Sequence, residues 1–345
     1  MTTRIFARAQ VRVPATTANL GAGFDCLGLA LDRWLRVSAE LRTGNRDEEG
    51  LVTFHRTGTL TALDRTGIAS VHDDLIWQGF ERVLLQFRDK HGFRGSVHFE
   101  ANSDIPVARG LGSSAAALLA GAALANEAFG LLLSAEDLAR LCTDLEGHGD
   151  NVGAAALGGA VLVTPRAFAP AFSRVPVHES LGFAFAVPSF ETRTDLARAA
   201  LPSSVPFRTA VLAASKAASL VRGLQTADRG LLTAGLNDVL HVEHRKPLIP
   251  HYERVARAAR NAGAFGATLS GSGSSIVAVA PRNQAAIVAG AMAEAWRAVD
   301  VPADAFATGV CPTGVTAVPR TSQPSNLPTY GLAQPIHLPR RIACP

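Results

Sequence analysis

The stretch Asp104-Ile105-Pro106-Val107-Ala108-Arg109-Gly110-Leu111-Gly112-Ser113-Ser114-Ala115-Ala116 constrains the fold more than any other part of the chain. Upstream, Ser96–Ala101 reads as a strand; downstream, Ser113–Phe129 is rich in Ala and Leu and reads as a helix. A strand must therefore hand over to a helix through a loop with two glycines one residue apart and two serines at the helix start. Glycine lets backbone approach a ligand closely, and serine is a good N-cap. The first N–H groups of a helix lack intrahelical partners and carry a partial positive charge, so this end suits an anion, phosphate above all. The loop is not a P-loop, since GxxxxGK[ST] occurs nowhere in the chain. Gly110–Ala115 fits G-x-G-x-x-A, but Asp104–Arg109 separates the strand from the first glycine, where dinucleotide folds place that glycine at the strand end. On these residues alone, a phosphate site and a helix start that binds nothing both stay open.

Two further glycine-rich segments flank this one. Gln10–Pro14 starts a strand, and Cys26–Asp32 and Trp34–Arg42 read as two more. Between the first two lies Pro14–Asp25, a twelve-residue connection of glycine and small polar residues, which is long for a plain hairpin. Near the other end, Ala264–Leu269 and Ser275–Ala280 are strands around Ser270-Gly271-Ser272-Gly273-Ser274, a second nest of backbone donors. Leu51–Leu60 reads as an exposed strand and Thr61–His72 as a loop. Asp73–His91 reads as an amphipathic helix capped by Asp73 or Asp74. Ser134 caps another helix, which ends near Leu145 in Glu146-Gly147-His148-Gly149-Asp150-Asn151-Val152, a polar junction before a strand at Leu157–Thr164. Beyond it come a strand at Gly182–Pro188 and helices at Val205–Leu224, Leu231–Leu240, Pro250–Ala262 and Asn283–Val299, with a closing strand near Ala305–Val310. Thr194 and Arg198 stand four apart, on one helix face. The pattern divides the chain into residues 1–165, 166–319 and a Pro-rich tail at 320–345, expected to be loosely ordered.

Composition removes several function classes. The net charge is +4, but Arg320, Arg340 and Arg341 in the acid-free tail supply three of those charges, and the remaining basic residues are interspersed with acids. Nucleic acid is therefore not an expected partner. Cys26, Cys142, Cys311 and Cys344 form no CxxC pair, which argues against zinc or a disulfide framework. The most apolar helical run, Leu111–Ala125, is too short to span a bilayer, and the N-terminus has no apolar signal core. The expectation is a cytoplasmic protein with neither membrane nor nucleic-acid partners.

The string Pro-x-x-x-Gly-Leu-Gly-Ser-Ser-Ala resembles the phosphate loop of the GHMP kinases. The resemblance extends over roughly residues 9–312 through VPATTANLGAGFDCLGLALD, EGHGDNV with a later LGG, and LSGSGSSIVAVA. Within that family it is strongest toward the homoserine-phosphorylating branch, which also has Thr-x-x-x-Arg-x-x-Leu-Pro and His-x-x-x-Arg before a proline. The resemblance implies an α+β, two-domain fold: a ribosomal-protein-like N-terminal half with a left-handed β–α–β unit, and a ferredoxin-like C-terminal half. It implies ATP and Mg²⁺ as cofactors, L-homoserine as substrate in threonine biosynthesis, and a homodimer as a common state among relatives.

The same resemblance implies roles. Pro106, Val107, Ala108, Arg109, Gly110, Leu111, Gly112, Ser113, Ser114, Ala115 and Ala116 would wrap the ATP phosphates, and His72–Leu75 would border the adenine. Glu146 would bind Mg²⁺, with the Ser114 hydroxyl nearby. Asn19, Asp25 and His148 would hold substrate polar groups, Asp25 facing the ammonium. Arg198 and Arg245 would clamp the carboxylate, supported by Thr194. Asn151 stands where several relatives are thought to use an aspartate base, and Asp150 is the alternative base. An amide cannot accept the proton, so catalysis would rest on positioning and charge stabilisation. Gly149, Gly153, Ala154 and Asp74 depart from common family patterns, which leaves open a kinase for another small hydroxy amino acid or hydroxy acid. A nucleotide-binding protein of this fold without catalysis is the other alternative.

Overall fold

The computed structural model describes residues 4–44, 49–66, 68, 70–86, 93–165 and 169–318. The expected loosely ordered tail, Cys344 and the end of the Asp73–His91 helix lie outside them.

In chain order the elements are β1 (Arg4–Asn19), β2 (Gly23–Thr43), β3 (Val52–Gly58), α1 (Thr61–Thr66), α2 (Leu75–Gln86), β4 (Ser96–Ser103), α3 (Ser113–Phe129), α4 (Ala135–Glu146), α5 (Asp150–Leu157), β5 (Ala160–Thr164) and β6 (Ala171–Val175). They continue with β7 (Leu181–Pro188), α6 (Thr194–Ala199), α7 (Phe207–Thr226), α8 (Arg229–Leu236), α9 (Val242–Arg245), α10 (Tyr252–Asn261), β8 (Gly266–Leu269), β9 (Ile276–Pro281), α11 (Ala285–Arg297), β10 (Ala303–Thr308) and β11 (Thr316–Ala317).

β1 alternates exposed and buried residues up to Arg12 and is buried on both faces from Val13 to Asn19. That change of period marks where it passes from an edge-like ribbon into the interior. The first sheet runs β11-β1-β2-β4-β3, with β5 on the far part of β2 and β6 on β5. Its pairs are antiparallel apart from β3 with β4, which run parallel and are joined through α1 and α2, a β–α–β unit. The second sheet has the order β10-β7-β9-β8 with every pair antiparallel. In chain order that is 4-1-3-2, the split β–α–β arrangement of ferredoxin-like folds. The chain leaves the first sheet between Val175 and Leu181 and returns to it at β11.

β7 is buried at all eight positions because it is covered on both faces. Phe183 and Phe185 point into the core shared with the first sheet, α3 and α7. Ala184 and Ala186 point the other way, onto α10 and α11, where Trp296 and Met292 fill the space. The two layers are thus joined by apolar packing.

Several local expectations need correction, and Thr61–His72, read as a loop, contains the helix α1. Cys26–Asp32 and Trp34–Arg42 are one strand, β2. Its pairing with β1 jumps from Pro14↔Trp34 to Ala15↔Leu31, which leaves Asp32 and Arg33 as a bulge. The Asp32 carboxylate accepts from the Trp34 indole at 2.7 Å, and the Arg33 guanidinium lies 4.0 Å from the Phe306 ring centre. The expected connection Pro14–Asp25 is mostly strand, with Leu20–Ala22 alone between β1 and β2. That tight turn is made possible by left-handed backbone at Asn19, Leu20 and Gly21. Residues 150–157 form a helix that the sequence pattern had assigned to a junction and the start of a strand.

Candidate active site

A cleft of about 360 Å³ opens between the layers, and its lining changes character from end to end. One part is mostly apolar, with Leu35, Leu60, Leu63, Leu75, Ile76, Ile105 and Val107, beside Asp73 and a buried pair of Asp74 with Arg56. The other is polar, with Asn19, Asp25, Glu146, His148, Asp150, Asn151, Thr194, Arg198 and Arg245. The start of α3 sits between them. An amphiphilic ligand with an aromatic end and an anionic middle matches this gradient.

The α3 start is capped by Gly112 rather than by a serine. Gly112 has φ 68°, and no side chain satisfies the first N–H groups. A Cβ at Gly112 would stand 1.9 Å from Thr16 Oγ1, so the position needs glycine for space as well as for φ. The loop before it is fastened to both layers. Thr16 N–H donates to Leu111 O at 3.1 Å, Ser275 N–H to Arg109 O at 3.2 Å, and the Ser270 hydroxyl to Gly110 O at 2.7 Å. Of the expected phosphate-wrapping residues, Val107, Ala108, Gly110, Gly112, Ser113 and Ser114 line the cleft. Leu111, Ala115 and Ala116 are buried in the core. Pro106 lies outside the lining, and Arg109 turns away: its guanidinium donates to Pro188 O and Ser189 O and pairs with Glu191 at 3.1 Å.

At the first turn of α3 the Ser114 hydroxyl donates to Glu146 Oε1 at 2.5 Å. One carboxylate and one hydroxyl converge there, and no cluster of three His, Cys, Asp or Glu side chains able to hold a metal exists among the described residues. Two hard oxygens without a full protein cage suit Mg²⁺, which keeps waters and takes phosphate oxygens as further ligands.

Glu146 ends α4 and Asp150 begins α5, so the two helices bring His148 between them. His148 Nδ1 lies 2.7 Å from Asp150 Oδ1, and Nε2 lies 3.8 Å from Glu146. Burial disfavours the charged imidazole, but the hydrogen bond and charge of Asp150, with Glu146, outweigh it and raise the His148 pKa. Asp150 Oδ1 also accepts the Asn151 N–H at 2.7 Å. Asn151 Oδ1 accepts the Thr16 hydroxyl at 2.8 Å, and its Nδ2 lies 3.4 Å from Asp150 Oδ1.

Facing these, Arg198 forms a two-pronged pair with Asp25 at 3.0 and 3.1 Å, linking α6 to the start of β2. The Thr194 hydroxyl lies 3.3 Å from that of Ser272. Asn19 binds Gly271 O through Nδ2 and accepts the Asp25 N–H at 2.9 Å. Arg245 is 2% exposed and lies 5.0 Å from the Phe24 ring centre. Its guanidinium donates to Ala197 O at 3.0 Å and approaches His241 Nδ1 at 3.4 Å, and no carboxylate lies within ion-pair distance among the described residues. Burial lowers the pKa of both Arg245 and His241. His241, stacked on Phe24, thus sits as a neutral ring beneath the guanidinium, with Nε2 donating to Gly21 O at 3.1 Å.

Every expected catalytic, substrate and metal residue lines this single cleft. Thr16 and His241 were not singled out from the sequence as site residues, although both lie inside the quoted strings VPATTANLG and His-x-x-x-Arg.

Comparison with known proteins identifies the family. Residues 75–159 match the GHMP kinases N terminal domain and residues 218–298 the GHMP kinases C terminal domain. A homoserine kinase of Microchaete diplosiphon is 36% identical over 300 residues, covering 87% of this chain and 94% of the relative. One of Gloeobacter violaceus is 39% identical over 286 residues, covering 83% and 92%. The crystal structure of homoserine kinase from Cytophaga hutchinsonii superposes with a TM-score of 0.78 at 29% identity, covering 90% of this chain and 98% of that one. An L. major mevalonate kinase shares the fold at a TM-score of 0.60 and 16% identity, covering 90% of this chain and 96% of that one. With relatives this similar over nearly their whole length, the chain belongs to the GHMP kinase family.

Proposed function

We propose that the protein transfers the γ-phosphoryl group of ATP to the side-chain hydroxyl of L-homoserine, with Mg²⁺, in the cytoplasm. The observation that carries the substrate reading is Arg245, a buried guanidinium lining the cleft with no carboxylate partner among the described residues. A buried charge of this kind is costly unless an anion joins it, and an amino acid brings one. The neighbouring Asp25–Arg198 pair supplies one charge of each sign, the complement of a zwitterion.

The residues divide the work by position. The apolar end takes the base, and the α3 N-terminus takes the phosphates through the N–H groups that Gly112 leaves uncapped. Glu146 and Ser114 would hold Mg²⁺, which supplies charge neutralisation on the phosphates. Arg245 and Arg198 hold the carboxylate, Thr194 closes that edge, and Asp25 and Asn19 face the ammonium. Asn151 orients the hydroxyl but cannot take its proton. Asp150 already accepts from His148 and Asn151, so its role is to hold those two groups. A loose transition state needs little activation of the nucleophile, and the proton passes to phosphate or water.

The test is turnover by the purified protein of a hydroxyl-substrate panel with ATP and Mg²⁺. Preference for L-homoserine over serine, mevalonate and sugars is the expected result, and its absence refutes the substrate.

A further inference from the structure

We infer that Thr16 is a positioning residue for the transfer, fixing the Asn151 amide so that it presents its N–H side to the substrate hydroxyl. The inference rests on the reading that this cleft holds such a hydroxyl.

Thr16 is fully buried on β1, and its hydroxyl points at Asn151 Oδ1, 2.8 Å away, across 135 residues of sequence. A hydroxyl has one proton to donate. Its donation to Oδ1 commits the carbonyl end of the amide inward and turns Nδ2 outward. The Asp150 carboxylate enforces the same orientation from the other side. Its Oδ1 lies 3.4 Å from Nδ2, so a flipped amide would place two acceptor oxygens against each other. Asn151 therefore faces the cleft as a donor. It can hold a hydroxyl oxygen by hydrogen bonding but cannot accept from it.

The same side chain also sets the phosphate loop. The Cβ that Gly112 lacks would stand 1.9 Å from Thr16 Oγ1 and 3.1 Å from Asn151 Oδ1, so loop, threonine and amide are in mutual contact. The Thr16 N–H holds Leu111 O at 3.1 Å. One residue thus registers the start of the phosphate-facing helix against the group that aims the acceptor. In an in-line transfer that register is most of what the protein has to supply.

The experiment compares Thr16→Val, which keeps the shape and removes the hydroxyl, with Thr16→Ser, which keeps the hydroxyl, in steady-state kinetics on the full chain. Thr16→Val should lower kcat by about 10- to 100-fold, the scale of a small misplacement at a reacting centre, with KM for both substrates nearly unchanged. Thr16→Ser should restore most of it. In an Asn151→Ala background the valine should cost little more, because the group it positions is gone. A full penalty in that background, or a Thr16→Val enzyme with wild-type kcat, overturns the inference. Should Thr16→Val fail to fold, Thr16→Ala against Thr16→Ser gives the same comparison. A wild-type enzyme inactive on every hydroxyl substrate would refute the proposed function instead. Crystal structures of the wild type and Thr16→Val then decide this inference alone: an Asn151 amide unmoved by the loss of the hydroxyl would overturn it.

Discussion

Arg245→Met should weaken homoserine binding strongly while leaving the free protein as stable as before, or more so. Methionine fills much of the arginine volume and removes the charge. In the free protein the guanidinium is 2% exposed, lacks an ion-pair partner among the described residues, and makes one good hydrogen bond, to Ala197 O at 3.0 Å. Losing that bond leaves a buried carbonyl unsatisfied, which costs about 1–3 kcal/mol. Removing a desolvated charge relieves a penalty of several kcal/mol, so the two effects offset or favour the variant. The balance reverses when an anion occupies the cleft. Truncating one member of a buried, hydrogen-bonded charge pair costs about 2–5 kcal/mol of binding. That corresponds to a rise in the homoserine Kd of roughly 30-fold at the lower end and more than a thousandfold at the upper.

Calorimetric titration of homoserine into both proteins, alongside thermal melts without ligand, measures the two effects separately. An analogue whose carboxylate is reduced to a hydroxymethyl group provides the control. It should bind the wild type weakly and lose little more on the Arg245→Met change. A variant that melts well below the wild type yet binds homoserine unchanged would refute the reasoning, since Arg245 would then be a packing residue. An equal loss for homoserine and the reduced analogue would show that the arginine does not meet the carboxylate.

Gly112→Ala places a side chain at φ 68°, which costs about 1–2 kcal/mol, and drives its Cβ into Thr16 Oγ1. Displacement of the loop should cut kcat/KM for ATP by about 100-fold in steady-state assays, and an unchanged value would contradict the loop assignment. Glu146→Gln keeps a partner for Ser114 but loses the charge, so the Mg²⁺ concentration for half-maximal rate should rise by about 10- to 100-fold. An unaltered Mg²⁺ titration would remove Glu146 from the metal site. His148 has its pKa raised in the folded protein, so the native state holds this proton more tightly than the unfolded chain does. Its contribution to stability is complete below about pH 6.5 and is lost as pH climbs through the raised value. Denaturant unfolding of His148→Gln should lack that downward slope, and an identical slope in both proteins would disprove it.

The phosphate loop was legible because its signals are local: a strand, two glycines and an Ala-rich helix that begins at Ser113 as read. What was misassigned depended on partners outside any local window. A serine cap for α3 was the natural reading, yet Thr16 occupies the space beside Gly112 and leaves room there only for hydrogen. Asp32-Arg33 looks like a break between strands, but the Trp34 indole and the distant Phe306 ring absorb the two polar side chains within one continuous strand. The helix at Asp150–Leu157 was hidden because a short apolar run such as Val152–Leu157 has no period that separates helix from strand. It is a costly omission, since that helix presents both Asp150 and Asn151. The arginines proposed to bind substrate could be named from the resemblance. That Arg245 would be buried without a carboxylate was beyond any pattern in the chain, because it depends on what α6, Phe24 and the β8–β9 turn leave around it.

In the proposed mechanism, which uses no carboxylate base, the end of β1 does the positioning. Four consecutive residues each grip a different part of the site. Thr16 holds the Asn151 amide and Leu111 O, and the Thr17 hydroxyl lies 2.8 Å from that of Ser270, whose proton goes to Gly110 O. Ala18 O accepts the Gly271 N–H at 3.1 Å, and Asn19 binds Gly271 O and the Asp25 N–H. The loop before α3, the Asn151 amide, Asp25 and the β8–β9 turn are therefore referenced to one strand buried on both faces. In the proposed function, a strand held at so many points sets the geometry between phosphate and hydroxyl before either arrives. Where the transition state asks little of the nucleophile, that advance ordering can supply what proton abstraction supplies elsewhere. Substitutions along Thr16–Asn19 should accordingly reduce turnover more than their cost in folding would suggest.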